Sequence, residues 1–213
     1  RSEKVIVVSE EERKVLEGLT STPVHVISNI HLLKGETRLP PHNHRAAFVG
    51  SFQHTPNIDA VNWFVEEVLP LVVAEIPDFE FWIIGDHAPD SIVKIDCPSV
   101  FVKGWDKDLD ALLDHMRLNI APLRFGAGVK GKISHALALG LPTVTTSVGA
   151  EGMNLTNSED IEIADSPELM AEKICLLMRD DPHWTKISLQ GQLVAEREFG
   201  LERARKALLE VLR

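Results

Sequence analysis

Cysteine is scarce in this chain, and its scarcity excludes a good deal. Cys97 and Cys175 are the only two, far apart and outside any CxxC or Cys/His spacing, so neither a disulfide framework nor a structural zinc site is expected. A reducing, cytoplasmic compartment follows as the simpler expectation. Positive charge is also short: 22 Lys and Arg stand against 32 Asp and Glu, a formal net charge of -10. That balance excludes a broad footprint for nucleic acid or an anionic membrane, which require an excess of cations, although a small local basic pocket stays open. No apolar run approaches the roughly 18 to 20 residues of a membrane span, and the N-terminus lacks the charged-then-apolar layout of a signal peptide. There is no internal repeat and no low-complexity tract. What is present is enough apolar material, 44% of 213 residues, for one large or two small globular domains.

The order of elements is legible in the pattern. Val5-Ile-Val-Val8 reads as a buried strand, Ser9-Glu-Glu-Glu12 as a capping box opening a short helix through Leu19, and Val24-His-Val-Ile27 as a second strand. From Leu33 to Arg45 the composition turns to Gly, Pro, His, Asn and charge, and Pro40-Pro41 bars a helix or central strand. This reads as a linker. His42 and His44 within it have no further partner at metal-ligand spacing.

Beyond Ala46, strands alternate with amphipathic helices. Strands are predicted at Ala46–Val49, Phe81–Ile84, Val100–Val102, Leu118–Ala121, Thr143–Thr145 and Ile161–Ile163. A long helix that Thr55-Pro56 caps and starts, with its apolar pattern running through Val61, Phe64, Val65, Val68 and Leu69, follows the first, a helix around Leu109 to Met116 follows the third, and a helix capped by Ser166-Pro167 follows the last. The chain from Pro182 to Arg213 is read as helical, with a final helix from about Gly200. Short strands alternating with helices specify a parallel sheet covered on both faces, a Rossmann-like doubly wound α/β domain. Its ligand is expected beyond the carboxyl ends of the strands, where Gly50, Gly85, Gly104 and the loop starting at Arg124 all lie.

That loop, Arg124-Phe-Gly-Ala-Gly-Val-Lys-Gly-Lys132, enters a short helix that Gly140 ends before the strand at Thr143. Backbone N-H groups at such a helix start, with lysines beside them, suit a phosphate. The alternative is a loop whose cations keep it solvated, with Lys132 on the outer helix face.

Three stretches together carry a resemblance: Phe48-Val-Gly-Ser-Phe-Gln-His-Thr-Pro-Asn57, Ala121-Pro-Leu-Arg-Phe-Gly-Ala-Gly-Val-Lys-Gly-Lys132, and Ala136-Leu-Ala-Leu-Gly-Leu-Pro-Thr-Val144 with Gly149-Ala-Glu-Gly152. Over roughly Ala46 to Phe199 the chain resembles the donor-binding, C-terminal half of the GT-B glycosyltransferases, in particular the retaining group called family 4 or group 1. The resemblance implies a nucleotide-sugar donor, a glycan or lipid-linked acceptor, and no metal or other cofactor. It also implies that residues 1–45 are the last β-α-β of a preceding acceptor-side domain plus a linker, that most of that domain is absent, and that 46–213 is the donor domain. Such a piece would be catalytically inactive alone, and the longer protein could be membrane-peripheral.

For the donor diphosphate the resemblance implies Gly50, Ser51, Arg124, Gly128, Lys130, Gly131 and Lys132. Gly104, Trp105 and His135 would hold the nucleoside, and Ala127 and Glu151 would lie at the sugar; no catalytic residue is assigned. His54 and Asn57, at the start of the first helix of this domain, suit either the sugar or acceptor, or a capping role. Two departures stand out. Many family members carry two glutamates separated by seven residues, one at the sugar and one at the ribose, where this chain has Ala127 and His135. An Arg and Lys pair after the first strand is replaced by Ser51 and Pro56. These substitutions keep two alternatives in view: a non-catalytic module with a degenerate donor site, and a nucleotide-sugar epimerase on the same scaffold. A receiver-type signalling domain is disfavoured, because no acidic cluster ends the first strand.

Overall fold

The protein is described by a computed structural model covering residues 3–34 and 38–212. Positions 35–37 of the expected linker, and the ends of both expected domains at 1–2 and 213, lie outside the described residues. Strands β1 (Val5–Val7) and β2 (Val24–Val26) pair in parallel as a small separate sheet, joined by α1 (Glu10–Glu17). Ser9 caps α1, its Oγ accepting the Glu12 N-H at 3.1 Å, while Glu12 Oε2 reaches back one residue beyond the cap to accept the Val8 N-H at 3.0 Å, a variant of the expected capping box.

The main sheet has six parallel strands: β3 (Arg45–Val49), β4 (Glu80–Ile84), β5 (Val100–Gly104), β6 (Leu118–Ala121), β7 (Thr143–Thr145) and β8 (Glu162–Ile163). Their spatial order is β5-β4-β3-β6-β7-β8. The chain works outward from β3 in one direction and then returns to start again at β6, so the winding reverses between β3 and β6. That reversal opens a crevice at the carboxyl ends of these two strands, where doubly wound sheets bind ligands.

Helices cover both faces. On one side lie α2 (Thr55–Trp63), a π-helical turn at Phe64–Val68, α3 (Leu69–Glu75) and α8 (Pro167–Arg179). They pack Val61, Phe64, Val68, Val72 and Ile174 against Phe48, Phe81 and Ile120. On the other, α5 (Leu109–Asp114) and α6 (Gly131–Ala138) bring Leu113 and Ala136 onto Ala47 and Ile84. The predicted first helix thus runs further than its pattern suggested, to Glu75, and is interrupted. Pro70 has no N-H to give the preceding turn, and the helix widens into the π turn just before it. Nor does Thr55 cap this helix: it is the first helical residue, and His54 occupies the cap without a side-chain bond.

The C-terminal region is two helices, α9 (Asp181–Phe199) and α10 (Leu201–Val211), divided at Gly200 in an extended conformation, where the final helix was expected to begin. Two short helices, α4 (Asp90–Val93) and α7 (Ser147–Ala150), have no strong periodic signal in the sequence. Ser166 caps α8 as its motif indicates, accepting the Leu169 N-H at 3.2 Å. Ser166→Ala is therefore expected to lower the unfolding free energy by about 1 kcal/mol in urea titration.

Candidate functional site

The crevice is assembled from the tips of successive strands. The Gly85 N-H donates to Gly104 O at 3.0 Å and the Gly50 N-H to Ile84 O at 3.0 Å, so the ends of β5, β4 and β3 form one continuous edge. Past the reversal, Thr145 Oγ1 donates to Ala121 O at 2.7 Å and Thr146 Oγ1 to Leu123 O, which ties the end of β7 to the start of the glycine-rich loop. Gly104, Gly50, the loop and Gly149 thereby lie in a row because their strands do.

Lys132 sits at the centre of this row. It is the second residue of α6, and its side chain turns inward rather than onto an outer face. The ammonium lies 4.2 Å from the centre of the Phe48 ring and donates to Asn57 Oδ1. Burial, with Lys130 adding like charge, pushes its pKa down from 10.5 to about 7. A Cβ on Gly50 would stand 2.8 Å from this Nζ and 2.8 Å from Asn57 Nδ2, so the absence of a side chain at Gly50 is what lets lysine and asparagine meet at the strand tip. Asn57 Nδ2 in turn donates to Ser51 O at 2.7 Å. Asn57 is thus a bridge between α6 and the β3 loop, not a helix cap.

Lys130 and Arg124 are placed differently. Lys130 is the N-cap residue of α6, and its ammonium donates to Gly126 O at 2.9 Å and Gly128 O at 2.6 Å. Its charge therefore folds the glycine-rich loop onto the helix start, and burial lowers its pKa against the opposing pull of Glu151. Gly126 and Gly128, with φ of 120° and 78°, take the backbone shapes that this wrapping requires. Arg124 leans away over α2, held by Asp59 through Nε at 2.9 Å and Nη2 at 2.5 Å, and lies over the Trp63 ring. Of the three expected cations, Lys132 alone is brought to Gly50.

The other expected residues occupy the rim. Ser51 bonds the Asp86 carboxylate through its side chain, which holds Asp86 below the usual carboxylate range. Gly131 opens α6, with Asn29 Nδ2 3.6 Å from where its Cβ would be. Ala127 and Glu151 are exposed on the two loops, and Glu151 is close enough to act on Lys130. Gly104 has φ of 76° and open space around it, and Trp105 beyond it is 70% exposed at the end of β5. His135, on the second turn of α6, bonds Asp110 Oδ1 through Nε2 at 2.8 Å and stacks on His31, ring centres 5.6 Å apart. His31 bonds Ser134 Oγ at 2.8 Å, and burial lowers its pKa.

Asp110, Asp59, Asp86 and His31 were not singled out in the sequence. Asp110 had a faint signal, since Asp108 is a good N-cap and marks a helix start nearby. Asp59 meets Arg124 across 65 positions, which no local pattern reports. Among the described residues no group of three or more His, Cys, Asp or Glu gathers to hold a metal; His44 of the linker pairs instead with Asp78 at 2.8 Å. No described helix is long and apolar enough to cross a membrane.

Comparison with known proteins agrees with this architecture. The chain is similar to TarM of S. aureus, solved as a complex with fondaparinux, alpha-GlcNAc-glycerol and UDP, with a TM-score of 0.83 and 18% identity over 99% of this chain and 44% of that one. It is similar to HepE of Anabaena in complex with UDP and glucose, TM-score 0.76, 15% identity, 99% and 63% covered. The pneumococcal O-GlcNAc transferase GtfA in complex with UDP and GlcNAc gives 0.75, 19% identity, 99% and 46% covered. At these identities the likeness establishes the fold, that of the C-terminal half of GT-B glycosyltransferases. In sequence, an uncharacterized 44.6 kDa protein in the cps region of Klebsiella pneumoniae is 30% identical over 142 residues, 62% of this chain and 37% of that protein. The chain thus spans under half the length of that relative. The family model of the glycosyl transferases group 1 matches residues 43–180, which takes in every strand tip of the crevice, and the chain belongs to that family.

Proposed function

We propose that this chain is the donor-binding part of a glycosyltransferase that moves a sugar, with retention of configuration, from a nucleoside diphosphate sugar to a glycan or lipid-linked acceptor. The observation that carries the reading is Lys132: a desolvated ammonium held beside the bare strand tip at Gly50, one residue from the N-terminus of α6. In the transfer, the bond between the sugar's anomeric carbon and the distal phosphate oxygen breaks, the acceptor oxygen takes the sugar, and negative charge grows on the departing diphosphate. A preorganised cation and helix N-terminal amides meet that charge without having to rearrange. Lys130 shapes the loop that presents those amides, and the reading requires no metal or other cofactor.

In this reading Trp105 stacks on the base, His135 faces the ribose, and the sugar lies towards Ala127 and Glu151. Residues 1–45 would be the trailing β-α-β and linker of an acceptor-side domain. Two features support that: a two-stranded parallel sheet has little core of its own, and Ile6, Val8, Val15 and Leu19 stand exposed on it and its helix. Transfer would then require that second domain to close over the donor, the chain alone binding nucleotide without turnover. A cytoplasmic location, with the longer protein at most peripheral to a membrane, accompanies this reading.

A second reading rests on Ala127 and His135, which supply no carboxylate where many family members have one: a module that binds a nucleotide but transfers nothing. Calorimetric titration with UDP, GDP and ADP tests the first step common to both. Saturable binding of one of the three in the micromolar to millimolar range is expected. A folded protein that binds none of them would sink the donor-site reading, and sugar transfer by the longer protein would remove the second.

A further inference from the structure

Asp110 lies outside every role assigned so far, and its surroundings are specific. It stands on the first turn of α5, five positions beyond Trp105 along the segment that leaves β5. One carboxylate oxygen, Oδ1, is held by His135 Nε2 at 2.8 Å. The side chain is 52% exposed, against 27% for His135, and no bond to Oδ2 is found among the described residues. A carboxylate anchored to the second turn of α6 through one oxygen and open at the other, on the segment that follows exposed Trp105, is an acceptor with capacity left for donors.

We infer that Asp110 binds the ribose hydroxyls of the donor nucleotide, with His135 as the residue that positions it. The inference rests on the donor-site reading above. The chemistry follows from acceptor capacity: a ribose 2′,3′-diol offers two O-H donors, and a neutral imidazole has only one acceptor nitrogen. An ionised carboxylate has about four lone-pair sites, so after the bond from His135 it can still take both hydroxyls, in hydrogen bonds strengthened by its charge. The carboxylate absent from position 135 is thereby replaced from the neighbouring helix. His135 in turn is fixed on its other side by stacking on His31, whose own ring bonds Ser134, so the anchor of Asp110 is rigid.

Binding of UDP, 2′-deoxy-UDP and 2′,3′-dideoxy-UDP, measured by calorimetry on the wild type and on Asp110→Ala, Asp110→Glu and His135→Ala, tests the assignment. UDP is the nucleotide present with TarM, HepE and GtfA. The wild type is expected to prefer UDP to the dideoxy form by about tenfold or more, as charge-assisted hydrogen bonds imply. Asp110→Ala is expected to erase that preference while leaving the dideoxy affinity unchanged, Asp110→Glu to restore part of it, and His135→Ala to reduce it. A merely structural carboxylate would instead weaken all three ligands alike, and that result overturns the inference, as does a wild type that binds UDP without preferring the ribose. A folded wild type that binds none of UDP, GDP and ADP overturns the donor-site reading itself.

Discussion

Replacing Lys132 with methionine is expected to weaken binding of UDP-glucose about 100-fold or more while leaving the protein at least as stable at pH 7. The two effects have opposite sign for one reason. In the free protein the ammonium is desolvated against Phe48 and its pKa is lowered to about 7, so keeping it charged is unfavourable until an anion arrives. Methionine fills the same space without that cost, at the loss of the bond to Asn57. A diphosphate, by contrast, loses its one central cation, and paired charges in a dry site are the strong ones.

The same amine imposes a pH dependence whose direction can be worked out. Folded Lys132 titrates near 7, while the unfolded chain has the ordinary lysine value of 10.5. Between those values the unfolded state binds more protons, so this group's contribution to stability improves as pH rises from 7 towards 10.5. The advantage of Lys132→Met in Tm is therefore expected at pH 7 and gone near pH 10. Binding runs the other way. On the donor-site reading the diphosphate requires the charged amine, so the affinity for UDP-glucose is expected to be flat below pH 7 and to fall by up to about tenfold per unit above it. Proton uptake, read from calorimetry in buffers of different ionisation enthalpy, would accompany binding at pH 8. A variant that binds as well as the wild type, or a wild-type affinity flat from pH 6 to 9, would remove Lys132 from the donor site.

The second large effect is structural. Gly85→Ala is expected to yield no stably folded protein, or one weakened by more than about 4 kcal/mol. At Gly85 φ is 155°, and an added Cβ would stand 1.8 Å from Gly50 O. Both are backbone constraints at the paired tips of β3 and β4, so no side chain can move to relieve them. Gly104→Ala is the control: its φ of 76° is equally suited to glycine, yet nothing lies within 4 Å of the added carbon. Strain alone, about 1 to 2 kcal/mol, is expected there. Denaturation curves for the pair decide the matter, and equal stabilities would mean that the close approach of the two strand tips is not what requires glycine at position 85.

Much of this architecture could be read from local pattern. The runs at Phe81–Ile84 and Leu118–Ala121, the cap at Ser166 and the box at Ser9 each carry their signal within a few residues, because strand period, helix period and capping are local physics. The glycines at the strand tips were legible for the same reason. Where the sequence misled or was silent, the cause lay elsewhere. Pro70 widened a helix instead of ending it because both flanking segments bury their apolar faces on the same sheet, through Phe64, Val68 and Val72.

The sequence by itself therefore determined the class of fold, the order of its elements, the glycines at the carboxyl edge of the sheet and the glycine-rich loop beside them. Composition, periodicity and turn chemistry carry all of that. Only the tertiary structure decided which lysine reaches the strand tip at Gly50 and which residues accompany it. The strand order puts β3 beside β6 although their first residues are 73 positions apart in the chain. That neighbourhood turns Lys132 inward to Gly50 and Asn57, commits Lys130 to its own loop, sends Arg124 to Asp59 and joins His135 to Asp110. Each is a pairing between distant segments, and a side chain's charge, burial and partners are properties of its surroundings, which no stretch of sequence contains.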